Sequence, residues 1–167
     1  MAYPRFQRAR TMKKKRLDTG DVTLNGDVWS AVDTSLDLVL DAVQPGDELV
    51  FGLSAQFDSE AVAAHLNVVT VVGGLPYRGF AEADLVKPFA PAGFVGLPGF
   101  YAPASAVVGL CLETPPYTVV VGDILNGQVS LRLVYALAAS GTDRTLSAST
   151  DRPVDVWAYN LGPLDPE

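Results

Sequence analysis

The chain holds one histidine, His65, and one cysteine, Cys111, so its most reactive side chains are few. A cysteine–histidine nucleophile pair needs the two within hydrogen-bond reach, and nothing in the sequence draws them together. His65 opens the apolar stretch HLNVVTVV, where an imidazole reads as a surface or edge-strand residue. It has no second histidine to share a metal and no H-E-x-x-H spacing. Cys111, in VVGLCLE, reads as a small buried apolar residue. A lone cysteine permits neither an internal disulfide nor a cysteine metal site. There is no G-x-S-x-G elbow and no phosphate-binding glycine loop.

Carboxylates are plentiful, 19 in all. Asp37 and Asp41 fall on one face of an alternating stretch, but four strand residues separate them by roughly 13 Å, too far for the paired acids of a glycosidase. Asp18, Asp21, Asn25 and Asp27 crowd one region with hard oxygen ligands. Their spacing is not that of a calcium loop, and Asp and Asn also mark turns. The expectation is a non-enzymatic chain with no catalytic residue, no metal and no cofactor. Trp29, Trp157 and Tyr159 remain as a binding group. On a strand, Trp157 and Tyr159 share a face with Asp155, opposite Val154, Val156 and Ala158. Core or subunit interface is the first reading for these aromatics, and a platform for stacking sugar rings the second.

The elements that would position these residues are strands. Leu36, Leu38 and Leu40 alternate with Asp37, Val39 and Asp41. Leu49, Phe51, Leu53, Ala55 and Phe57 alternate with outward Ser54 and Gln56. Val129, Leu131, Leu133, Tyr135 and Leu137 repeat the pattern. Further strands are expected at 21–24, 27–33, 65–72, 105–112, 118–121, 145–150 and 154–160, with one helical turn at 58–64. Asn25-Gly26, Pro45-Gly46 and Asn126-Gly127 are turn signals. No helical segment of 10–15 residues separates any two strands, which excludes a parallel βαβ sheet. The expected fold is all-β: an antiparallel two-sheet sandwich, most simply a jelly roll. It spans residues 17–167 and carries an irregular, Pro-, Gly- and aromatic-rich excursion at about 75–103, with one or two short strands in it. No secretory signal and no membrane span are expected.

The net charge of −7 hides a division. Arg5, Arg8, Arg10, Lys13, Lys14, Lys15 and Arg16 put +7 into residues 1–16, with no acid among them. The other 5 of the 12 basic residues face all 19 acids, leaving −14 on the remainder. Together with Phe6, these cations mark residues 1–16 as a basic arm that docks on a partner. An acidic protein surface suits it, including the body of a neighbouring copy. Nucleic acid is less favoured, because the body behind the arm repels phosphate.

Three stretches, TGDVTLNGDVWSAVDTSLDLVLDAVQPGDELVFGLSAQF, VSLRLVYALAASGTDRTLSAS and DRPVDVWAYNLGP, give the chain a texture that resembles jelly-roll-like bacteriophage virion accessory proteins: head decoration or cement, head-fibre and minor tail proteins. The resemblance implies a structural protein of the virion that decorates or cements a capsid or tail through its N-terminal arm. It also implies a homo-oligomer, often a trimer. Two alternatives stand beside it: a carbohydrate- or receptor-binding sandwich on a tail or cell surface, and a nucleic-acid-associated structural protein using the basic arm. The excursion at 75–103 departs from the resemblance.

Overall fold

The computed structural model describes residues 11–24, 30–60, 63–73, 94–96, 100–138 and 143–163. These residues form thirteen strands: β1 (Thr11–Leu17), β2 (Val22–Leu24), β3 (Ser30–Ala31), β4 (Leu38–Asp41), β5 (Asp47–Asp58), β6 (Ala64–Gly73), β7 (Phe94–Gly96), β8 (Phe100–Ala102), β9 (Val107–Glu113), β10 (Tyr117–Thr118), β11 (Gln128–Ala138), β12 (Arg144–Ser147) and β13 (Val154–Pro163). Short 3-10 turns cover Thr34–Leu36 and Val121–Asp123. The strands make two antiparallel sheets of seven and six strands, in a sandwich-like arrangement.

Many of the short strands are segments of longer rows. In the first sheet β5 runs 12 residues. One of its edges carries β13 and then β12; the other carries β10 and then β9. β1 continues the row outside β13, and β2 the row outside β12. In the second sheet β11 pairs with β6 along nine residues; β3 and β4 line the free edge of β11, while β7 and β8 line that of β6. Counted along the chain there are eight rows. The first, eighth, third and sixth stand side by side in one sheet. The second, seventh, fourth and fifth do so in the other.

Local chemistry explains the breaks. Pro115 and Pro116, between β9 and β10, have no N–H for the ladder. Thr114 bridges the gap: its N donates to Phe51 O at 2.9 Å, and its Oγ1 accepts from Phe51 N at 3.0 Å. Between β1 and β2, Asp21 Oδ1 accepts from Ala148 N at 3.0 Å, tying the break to the one opposite it. The core is the inward alternation of both sheets. Leu49, Phe51, Leu53 and Phe57 of β5 meet Val154, Val156 and Ala158 of β13, and Leu38, Leu40, Val129, Leu131 and Tyr135 of the facing sheet. A cavity of about 10 Å³ lies among Leu36, Leu38, Phe51, Leu131 and Val156, room for no more than about one water.

The expected turns at Pro45-Gly46 and Asn126-Gly127 are both present. Asn126 and Gly127 hold φ of 54° and 74°, and Leu125 and Gln128 exchange main-chain bonds of 2.9 and 3.0 Å, the pattern of a type I′ hairpin. Gly46 has φ 89°, and Asp47 N donates to Gln44 O at 3.1 Å. The signal at Asn25-Gly26 lies outside the described residues.

Three expectations change. First, the strand expected at 118–121 stops at Thr118. Buried Asp123 accepts from Tyr117 Oη at 2.7 Å and Val120 N at 2.9 Å, and so turns the chain into a 3-10 coil. Burial, then the bond to Asp123, raises the Tyr117 phenol well above its ordinary pKa. Second, Cys111 is exposed, not buried. Leu110 takes the inward position opposite Ala55, which puts Cys111 outward opposite Ser54. Third, the basic run expected as an arm is a strand from Thr11 onward. The irregular section holds two short strands, β7 and β8, as expected; residues 74–93 and 97–99 lie outside the described residues, as do 61–62 of the expected helical turn and 25–29 of the expected strand at 27–33.

Replacing Thr114 with Val keeps the shape but leaves Phe51 N without its side-chain acceptor. The expected cost is about 1–3 kcal/mol of unfolding free energy, read as a lower urea midpoint at unchanged slope, with Thr114→Ser close to wild type.

Candidate interaction surface

A run such as TMKKKRL has no apolar period and repels itself. Its strand conformation comes from β13, which it follows without a bulge from Thr11 opposite Asn160 to Leu17 opposite Val154. The pleat then sorts the cations. Lys13 and Lys15 stand opposite the inward residues Ala158 and Val156. Because β1 is the edge strand among the described residues, they reach over the rim to the other sheet. Lys13 Nζ lies 3.1 Å from Asp41 Oδ2 of β4, and Lys15 Nζ donates to Ser35 O at 3.1 Å. Leu17, on the same side, packs against the core.

Met12, Lys14 and Arg16 face outward, opposite Tyr159, Trp157 and Asp155. Arg16 donates Nε to Asp155 Oδ1 at 2.8 Å and Nη2 to Oδ2 at 3.0 Å, while Lys14 Nζ lies 2.9 Å from the same Oδ2. The Arg16 bond, ahead of Lys14 and against partial burial, holds the Asp155 carboxyl below its ordinary pKa. Asp41 is also held low, first by the Gln128 amide at 2.8 Å and then by Lys13. Exposed ion pairs of this kind are screened by solvent and contribute little, so they tune the placement of β1 more than they create it. Among the described residues, four strand cations meet two carboxylates and one carbonyl, an excess of two positive charges on β1.

Beside this strand lies the aromatic group. Trp157 stands between Lys14 on β1 and Gly52 on β5. A Cβ on Gly52 would fall 2.1 Å from Trp157 Cε2, so the indole lies across the bare glycine. Its Nε1 donates to Glu113 Oε1 on β9 at 2.9 Å. The ring thus spans from β13 over β5 to β9. Tyr159, half-buried, sits next on the same face with Val50 and Met12 as cross-strand neighbours, and Met12 is 50% exposed.

The structure therefore brings Trp157 and Tyr159 onto one open face with Lys14 and Arg16, and turns Lys13 and Lys15 to the sandwich rim. Arg5, Phe6, Arg8, Arg10 and Trp29 lie outside the described residues. The residues weighed for chemistry are dispersed. His65 is in β6, opposite Ala138 and Tyr101. Asp37 accepts a forked bond from Arg132, with Nε 3.0 Å from both oxygens. Asp21 serves the main chain, and no group of three potential metal ligands occurs among the described residues. Sequence reasoning placed Asp155 on this face with Trp157 and Tyr159 but did not single out Gly52 or Glu113. A lone glycine inside the strand VFGLS was a readable sign of a close approach; the glutamate carried none. No protein-family model matches the chain, and no curated protein does.

Gly52→Ala should displace the indole and break its bond to Glu113, lowering stability by about 1–3 kcal/mol with a red shift of tryptophan emission; Gly52→Ala with Trp157→Ala should regain part of the loss in thermal unfolding. A second outcome concerns acid. Asp155 has a depressed folded-state pKa, so its contribution is full above the unfolded value, about 3.9, and is lost as pH falls through the folded one. Asp155→Asn should therefore lower the unfolding midpoint at neutral pH and flatten its fall below about pH 4.

Proposed function

We propose that this chain is a non-enzymatic structural protein of a virion: a jelly-roll sandwich that decorates or cements a capsid or tail and attaches through its basic N-terminal segment. Support for the jelly-roll reading is the row order. First pairs with eighth, second with seventh, third with sixth and fourth with fifth, as in one long antiparallel hairpin rolled into two sheets. Double-sheet jelly rolls serve viral capsids and lectins, and the fold alone does not choose between them.

The observation that carries the choice is the placement of the charge. The basic segment is joined to the acidic body by a seven-residue strand, whose cations exceed their partners among the described residues. An element held this firmly at one end can transmit attachment to the whole sandwich. Localisation in the virion, a capsid or tail protein as partner, and a homo-oligomer belong to the same proposal.

The test is co-sedimentation of the full chain, and of a chain lacking residues 1–10, with virions from the same source at two salt concentrations. Truncation should weaken binding and reduce its salt dependence; equal sedimentation of both forms would reject attachment by this segment. A second reading, binding of carbohydrate, is favoured by the half-buried Trp157 and Tyr159 on an open face. One indole face lies on Gly52 and the N–H is engaged, so only the other face is left for a sugar ring. Loss of glycan-array signal on Trp157→Ala, at unchanged fold, would support it.

A further inference from the structure

We propose that the free edge of β1 is a strand-addition site for an acidic, extended segment of a partner protein. The proposal deepens the attachment reading and rests on it for its biological role, but the site itself follows from the geometry of β1. Among the described residues β1 pairs with β13 alone, and six of its seven residues are exposed. In an antiparallel strand alternate residues direct N–H and C=O away from the partner. Among the described residues, β1 thus presents a straight run of unused main-chain donors and acceptors.

Sheet edges are usually guarded by bulges, prolines, very short strands or charge. β1 has neither proline nor bulge, and it is long enough for a ladder. Its only guard is charge, and charge discriminates. A second copy pairing through the same edge about a two-fold axis centred on Lys14 would set Lys13 against Lys15. A one-residue shift would still place lysine against lysine or arginine, and like charges directly opposite destabilise a ladder. An acidic strand meets the reverse situation. Lys13 and Lys15 project to one side of the sheet and Lys14 and Arg16 to the other. Carboxylates on either face of the incoming strand would then find a cation across from them. The chain already displays this match once, where Asp155 of β13 lies against Arg16 and Lys14.

Nucleic acid fits less well. Phosphates need cations that are free to reach them and make no use of main-chain groups in register. Here Lys13, Lys14 and Arg16 are drawn to protein carboxylates at 2.8–3.1 Å, while the backbone edge is what stays open. Strand addition, in which main-chain bonds give affinity and alternate side chains give selectivity, uses both features at once.

The probe is a fluorescent eight-residue peptide alternating glutamate with valine or threonine, titrated against the full chain by anisotropy. Three comparators accompany it: the glutamine version, a version N-methylated at alternate amides, and a short single-stranded oligothymidine. The acidic peptide should bind at least about tenfold more tightly than either peptide comparator. It should also slow amide hydrogen exchange in Thr11–Leu17 more than elsewhere. Equal binding of the N-methylated peptide, or tighter binding of the oligothymidine, would show a polyanion site and overturn the proposal. Failure of every peptide to bind would overturn it too. Because the peptide titration needs no virion, it can fail while sedimentation with particles still depends on residues 1–10, so the two readings are separable.

Discussion

The twelve residues of β5 must satisfy their main-chain hydrogen bonds along both edges, and the seven-stranded sheet is arranged around that requirement. Four strands pair with β5 directly, two on each side, and β1 and β2 take their places through β13 and β12. The inward alternation of Leu49, Phe51, Leu53, Ala55 and Phe57 makes the same strand the floor of the core. Its single glycine opens the outer face, where Trp157 settles. Register is what joins these roles: a one-residue slip would exchange the two faces and bury Ser54 and Gln56 in place of leucine and phenylalanine.

β1 shows how a strand can exist without the pattern that usually announces one. Its main chain continues a ladder that β13 begins, and its side chains divide by pleat into two sets of cations. One set crosses the rim to Asp41 and Ser35 of the opposite sheet; the other grips Asp155 on the outer face. The same residues thus close the sandwich at its rim and charge its edge.

Much of this architecture was legible in the sequence wherever one phase of the alternation was clearly apolar. β5, β11 and β13 are where their leucines, valines and aromatics place them, and Asn126-Gly127 turns as its residue types require. Legibility failed where the two phases were equally apolar or equally charged. VVGLCLE reads as buried in either phase, and only the pairing of Leu110 with Ala55 decides that Cys111 faces out. TMKKKRL reads as an arm because its strand conformation is imposed by a partner 140 or so positions away. The common face of Trp157, Tyr159 and Asp155 could be read from alternation, yet the placement of Lys14 and Arg16 beside them emerges only from cross-strand register. The Glu113 contact, 44 residues from Trp157, had no local sign at all.

The pairing of the first row with the last also has a mechanical meaning. Thr11 and Asn160 lie across from each other at one end of the β1–β13 ladder. A pull that separates these two ends loads the first hydrogen bonds alone, and the ladder opens like a zipper, one pair after another. A pull on Thr11 along the strand axis, resisted by the body, loads the seven-residue ladder together in shear. A load applied from the N-terminal side of β1 is therefore held firmly in one direction and peels the strand in another, so the direction of the load sets the strength of the joint.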